Sequence, residues 1–185
     1  MFINVEETPN PNTLKFIPEK DMSVDRSYLF KKTDDLKSND FLKNLFDIDG
    51  VESILIDSGF ISVTKDNSSS WAVLRTILTS KIGAFLEKNN YVIDLTFNNE
   101  KVSDNKKPLT DIEKSIIELL ETRVKPVVAS HGGEISFNSF KNGTVYLELK
   151  GSCAGCPSST ATLKMGIENM LKHYHKDIKE VVEIN

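Results

Sequence analysis

A chain of 185 residues, 39% hydrophobic and 27% charged, has room for one or two packed units and excludes a disordered, collagen-like or disulfide-dense protein. Its formal net charge of -4 leaves no basic footprint for nucleic acid, whose phosphates demand clustered Lys and Arg. No apolar run approaches the roughly 20 residues that cross a bilayer, so neither nucleic acid nor membrane is an expected partner.

The N-terminus, Met1 to Glu7, lacks a charged segment followed by an apolar stretch and reads as unexported. A bacterial-type cytoplasm is the expected location, or a mitochondrial matrix if a transit peptide has been removed. Thr8-Pro-Asn-Pro-Asn12 is turn chemistry, which also suits a docking loop, and it leads into a strand at Leu14-Lys-Phe16. Phe41, Leu42, Leu45 and Phe46 share one face of a short helix behind Asp40. Ser53 to Ile56 and Phe60 to Val63 flank Asp57-Ser-Gly59 as a hairpin, and Leu74, Ile77, Leu78, Ile82, Phe85 and Leu86 line a longer helix. Residues 98–108 are almost wholly polar and read as a linker between a domain of residues 1–97 and one of 109–185.

Thr110 and Glu113 form the signature of a capping box, opening a helix with Ile112, Ile116, Leu119, Leu120 and Val124 inward. Pro126 disfavours helix at the residue before it, so that element is expected to end near Arg123. Ile135 to Phe140 and Thr144 to Lys150 flank Lys141-Asn-Gly143, whose Asn-Gly pair tolerates the positive φ of a tight hairpin. A cysteine loop follows, then a helix with Leu163, Ile167, Met170, Leu171 and Tyr174 inward, and a last strand over Val181 to Ile184. The fold class is α+β in two small domains, the second running α-β-β-α-β with its CxxC loop between strand and helix.

Both cysteines of the chain, Cys153 and Cys156, lie in Gly151-Ser-Cys-Ala-Gly-Cys-Pro157. A helix starting at Pro157 would turn its unpaired amides and positive dipole end toward them, favouring the thiolates that bind metal or attack disulfides. Two sulfurs do not complete a tetrahedral zinc site or an iron-sulfur site, which take four ligands. His131, His173 and His175 are candidates for the remainder, but symmetric pairing of two chains supplies four thiolates without any histidine. Thiol–disulfide exchange and a zinc-stabilised interaction module are the competing readings. The other candidates have plainer roles. His131 reads as a solvated loop residue, His173 and His175 as cations capping a helix C-terminus, and Trp71 as partly packed. Asp34-Asp35 and Glu6-Glu7 read as solvated surface.

The run Gly151-Ser-Cys-Ala-Gly-Cys-Pro-Ser-Ser-Thr-Ala-Thr-Leu-Lys164, with Gly166-Ile-Glu-Asn-Met-Leu171, closely resembles the C-terminal domain of NifU. Arg123-Val-Lys-Pro126 and His131-Gly-Gly-Glu134 resemble that family's helix exit and glycine loop, and Thr8 to Phe16 resembles the N-terminal domain of Nfu proteins. The chain departs from the family pattern at Glu134, His131 and Lys125. The resemblance implies a scaffold or carrier, not an enzyme, with Cys153 and Cys156 of two chains bridging a labile [4Fe-4S] cluster; two thiols per chain also suit a [2Fe-2S] bridge. It further implies a homodimer when cluster-bound, with apo iron-sulfur client proteins and other assembly proteins as partners, recognised by the N-terminal domain.

Overall fold

The computed structural model describes residues 2–36, 39–93, 95, 108–153 and 160–184. They build two sheets, each with its own hydrophobic cluster, in the two-domain α+β layout expected.

The first sheet is antiparallel with strand order β1-β2-β5-β4-β3, from β1 (Ile3–Glu7), β2 (Thr13–Pro18), β3 (Tyr28–Lys31), β4 (Val51–Ile56) and β5 (Ile61–Lys65). Of these, β2 and the β4–β5 hairpin follow the sequence pattern. The short strands β1 and β3 carry too few alternating apolar residues to be read from sequence. Because side chains alternate across a strand, Phe16, Ile54, Ile56, Ile61 and Val63 fall on one face and pack against two helices. Those helices are α1 (Asp40–Phe46), whose N-cap Asn39 accepts from the Leu42 amide, and α2 (Trp71–Lys88), capped by Ser70. Phe41 of α1 stacks on Phe85 of α2 at 4.2 Å between ring centroids. Ile77, expected inward, is 38% exposed because it sits at the margin of the helix stripe.

The second unit opens with α3 (Asp111–Leu119), where both halves of the Thr110/Glu113 capping box form. The expected stop near Arg123 does not occur. The chain instead widens into a π turn over Leu120–Val124 and continues as α4 (Lys125–Ser130), with Pro126 in its first turn. A proline removes one amide donor and crowds the carbonyl four residues back, and a wider turn relieves both. The β-hairpin of β6 (Gly133–Lys141) and β7 (Thr144–Gly151) turns on Asn142 and Gly143, both at positive φ as the Asn-Gly signal requires. After β7 come α5 (Thr160–Tyr174) and β8 (Glu180–Ile184), which lies parallel to β7. The order α-β-β-α-β is therefore as read from sequence. Ile116, Leu147, Ile167 and Leu171 form its core, while Tyr174 is 48% exposed with the Arg123 guanidinium over its ring.

The linker expectation falls at 98–108, of which only residue 108 is described, and the helix start expected at 157 lies outside the described residues.

Candidate functional site

The β6–β7 ladder ends with Gly133 opposite Gly151, and the chain leaves it through Ser152 and Cys153. Three glycines shape this end. Gly132 and Gly151 take positive φ of 74° and 69°, where a side chain would be strained. At Gly133 the issue is space, since a Cβ there would fall 2.7 Å from Sγ of Cys153 and 3.0 Å from the carbonyl oxygen of Lys150. The absent side chain is what lets the sulfur lie against the sheet.

Cys153 is 4% exposed and joins the apolar cluster of the second unit as a thiol. Ser152 beside it is buried; its hydroxyl donates to the His131 carbonyl and its amide donates to Gly132 O at 3.2 Å. The turn after α4 and the exit of β7 are thus tied through backbone groups, which fixes where Cys153 begins. Cys156, the second expected ligand, lies outside the described residues.

The histidines take other places. His131 is exposed at the end of α4. His175 does not cap the last carbonyls of α5; its Nε2 lies 2.9 Å from the Ser115 hydroxyl on α3 and ties the end of one helix to the other. His173 meets Tyr174 edge to face. Among the described residues, no three of His, Cys, Asp and Glu converge as a metal site. Trp71 is half-buried, as expected, with Nε1 donating to Pro11 O at 2.9 Å.

Glu134, one of the departures from the family pattern, follows the glycine pair. Burial pushes its carboxyl above the ordinary value of 4.5, with Asp57 adding to the rise, against a Ser27 hydrogen bond and the charges of Lys125 and Lys150. One of its oxygens, Oε2, is buried with no hydrogen-bond partner among the described residues. Nothing in a single sequence announces this, since Ser27 and Asp57 come from the other unit.

More residues of the first unit reach this end of the second than sequence suggested. Ser62 donates to Gly132 O at 2.7 Å, Asn10 Nδ2 to Ser152 O at 3.2 Å, and Lys15 Nζ to Ser130 O at 3.4 Å. The Thr8–Asn12 turn is therefore both a turn and a contact.

Two α+β units, the second carrying in its sequence a CxxC pair that follows a glycine-floored hairpin, define a small two-domain thiol protein. Comparison with known proteins narrows this. Residues 3–89 match the family model described as the scaffold protein Nfu/NifU N-terminal domain, and residues 116–182 match the NifU-like domain. The chain is 37% identical over 186 residues to the mitochondrial NFU1 iron-sulfur cluster scaffold homolog of Homo sapiens, covering 100% of this chain and 72% of that protein. It is 36% identical over 184 residues to the mitochondrial NifU-like protein 5 of Arabidopsis thaliana, covering 98% of this chain and 67% of that one. The Drosophila willistoni homolog is 34% identical, and this chain spans 64% of its length. The protein belongs to the Nfu family of iron-sulfur cluster scaffolds. Among solved structures, protein SAV1430 of Staphylococcus aureus shares 30% identity at a TM-score of 0.39, covering 44% of this chain and 99% of that one. A NifU-like protein of Saccharomyces cerevisiae shares 22% identity at a TM-score of 0.46, covering 50% of this chain and 83% of that one.

Proposed function

We propose that this chain is an iron-sulfur cluster carrier in which Cys153 and Cys156 of two chains bridge one labile [4Fe-4S] cluster, held as cargo and passed to apo-proteins. The observation that carries the reading is the placement of Cys153, a thiol at the exit of β7 on a floor kept open by Gly133. Family membership supplies the class of cargo. Soft thiolates suit iron, and a site shared between chains yields its cargo when the pair separates.

The division of labour follows the two units. Residues 109–185 hold the cluster, residues 1–97 recognise clients or other assembly proteins, and 98–108 joins them. Transfer proceeds by ligand exchange with a client that offers more or better placed cysteines, so no bond in a substrate is made or broken by a catalytic residue. The relatives carry mitochondrial names, which support a matrix location; the expectation of a bacterial-type cytoplasm draws no support from them.

Anaerobic reconstitution with iron and sulfide tests this, with visible and Mössbauer spectra and solution mass for the native chain, Cys153→Ser and Cys156→Ser. A cluster confined to a native dimer is expected, with a four-iron signature distinguishing it from a [2Fe-2S] bridge. A reversible Cys153–Cys156 disulfide with no bound iron would install the dithiol oxidoreductase instead, and a colourless chain that unfolds on chelation the zinc module.

A further inference from the structure

A sheet with one face on its own helices has a second face to dispose of. In the first unit that second face carries Leu55, Ser62 and Lys15, since these alternate with the core residues Ile54, Ile56, Ile61, Val63, Leu14 and Phe16. Leu55 is 1% exposed and Ser62 likewise 1%, yet neither belongs to the hydrophobic cluster beneath the helices. Their cover comes from the glycine floor of the second unit. A Cβ placed on Gly151 would fall 2.6 Å from Cδ2 of Leu55, and one on Gly132 would fall 2.5 Å from Oγ of Ser62. Two buried hydrogen bonds complete the contact, from Ser62 to Gly132 O and from Asn10 to Ser152 O.

We propose that the outer face of the N-terminal sheet is a docking surface for the glycine floor and β7 exit of this chain, Gly132 and Gly151 to Ser152, a cap that closes beside Cys153 in the cluster-free chain and must lift before two chains can share a cluster. Asn10 holds the carbonyl of the residue that immediately precedes Cys153, and Ser62 holds the carbonyl that receives the Ser152 amide. Drawing the sulfur out toward a second chain moves Ser152, which breaks the Asn10 tie to its carbonyl and withdraws its amide from the Gly132 carbonyl that Ser62 also holds. The space above Gly132 and Gly151 that an approaching chain needs is filled by Leu55 and Ser62. The lifted sheet then shows Leu55 and Ser62 to solvent, so cluster loading and exposure of this face are one event. The functional half of the inference rests on the carrier reading; the closed contact does not.

The test is made on the full cluster-free chain in a Cys156→Ser background, so that Cys153 is the single thiol. Its alkylation by N-ethylmaleimide is timed under native conditions for the parent, for Asn10→Ala with Ser62→Ala, and for Leu55→Glu. Circular dichroism checks the fold, and small-angle scattering reads the separation of the units. Removing two buried hydrogen bonds should raise the Cys153 rate about tenfold while the scattering radius grows. If Leu55→Glu fails to fold, the two alanines carry the test, since neither enters the helix-side core. An unchanged rate in a folded double-alanine chain, or a parent whose scattering is already that of separated units, would overturn the cap. No iron enters these measurements, so they stand whatever reconstitution shows. If the cap holds, the double-alanine change in the native-cysteine chain should also load its dimeric cluster faster than the parent.

Discussion

Replacing Gly133 by alanine separates the packing of the thiol from the chemistry of the loop. The added Cβ would lie 2.7 Å from Cys153 Sγ, 3.2 Å from its Cβ and 3.0 Å from the Lys150 carbonyl oxygen. Real Cβ contacts are longer than this, and the Lys150 carbonyl belongs to the β6–β7 ladder and cannot swing away. The sulfur must therefore move. Forcing a methyl into a packed site costs about 1–3 kcal/mol. For a unit the size of the second domain, about 2 kcal/mol lowers the thermal midpoint by roughly 10 °C. Gly166→Ala supplies the opposite control, since it is a helical glycine with nothing within 4 Å of the added methyl. That change should stabilise by about 0.5–1 kcal/mol through backbone entropy alone. Calorimetry of both variants, followed by iron content after reconstitution, reads the two effects. Gly133→Ala should lose both midpoint and iron while Gly166→Ala keeps its iron. A Gly133→Ala chain as stable as the native one, with full iron content, would refute the idea that this glycine makes the thiol's place.

The remaining predictions follow from single contacts. Thr110→Ala removes the hydroxyl that accepts from the Glu113 amide at 3.4 Å and donates to Glu113 Oε2 at 2.8 Å, one half of the capping box, and should cost about 1 kcal/mol in chemical denaturation of the second unit. Glu134 has a folded pKa raised by burial, so its contribution to stability is present at acid pH and is lost as pH rises through that raised value. Glu134→Gln should accordingly raise the thermal midpoint at neutral pH and leave it nearly unchanged in acid, and a loss at neutral pH would show that the carboxylate is better satisfied than its surroundings indicate. Leu78→Ala empties a side chain that is 0% exposed at the centre of the first cluster, and should destabilise that unit by about 2–5 kcal/mol in urea unfolding.

What the sequence made legible follows the range of the interactions involved. Local devices were readable because their determinants lie within a few residues of one another: the capping box at Thr110, the Asn-Gly turn at 142–143, and the stripe from Leu74 to Leu86. The π turn before Pro126 was not, because the rule that proline ends a helix assumes ordinary α geometry in the preceding turn. The candidate site divides in the same way. Cys153 announces itself by residue type and spacing, whereas Gly133 earns its role only from register, because strand pairing sets it opposite Gly151 and beneath the sulfur. Asn10 and Ser62 lie 142 and 70 residues from their partners, and no periodicity links them.

The placement of Cys153 carries an internal tension. A nearly buried thiol that belongs to the same apolar cluster as Ile116, Leu147, Ile167 and Leu171 acts as a small hydrophobe in the core of the second unit. On the carrier reading it must leave that environment to reach iron shared with a second chain. In the proposed carrier, cargo bound through Cys153 is therefore bound at some cost in core packing, and its release returns the sulfur to the apolar cluster. That exchange favours a labile cluster over a permanent one, which is what a carrier requires. It also assigns the glycine floor a second role, since the bare backbone at 132, 133 and 151 lets the sulfur lie inward without fixing it there. A side chain at Gly133 would displace the sulfur from its resting place even if Cys153 and Cys156 kept all their chemistry.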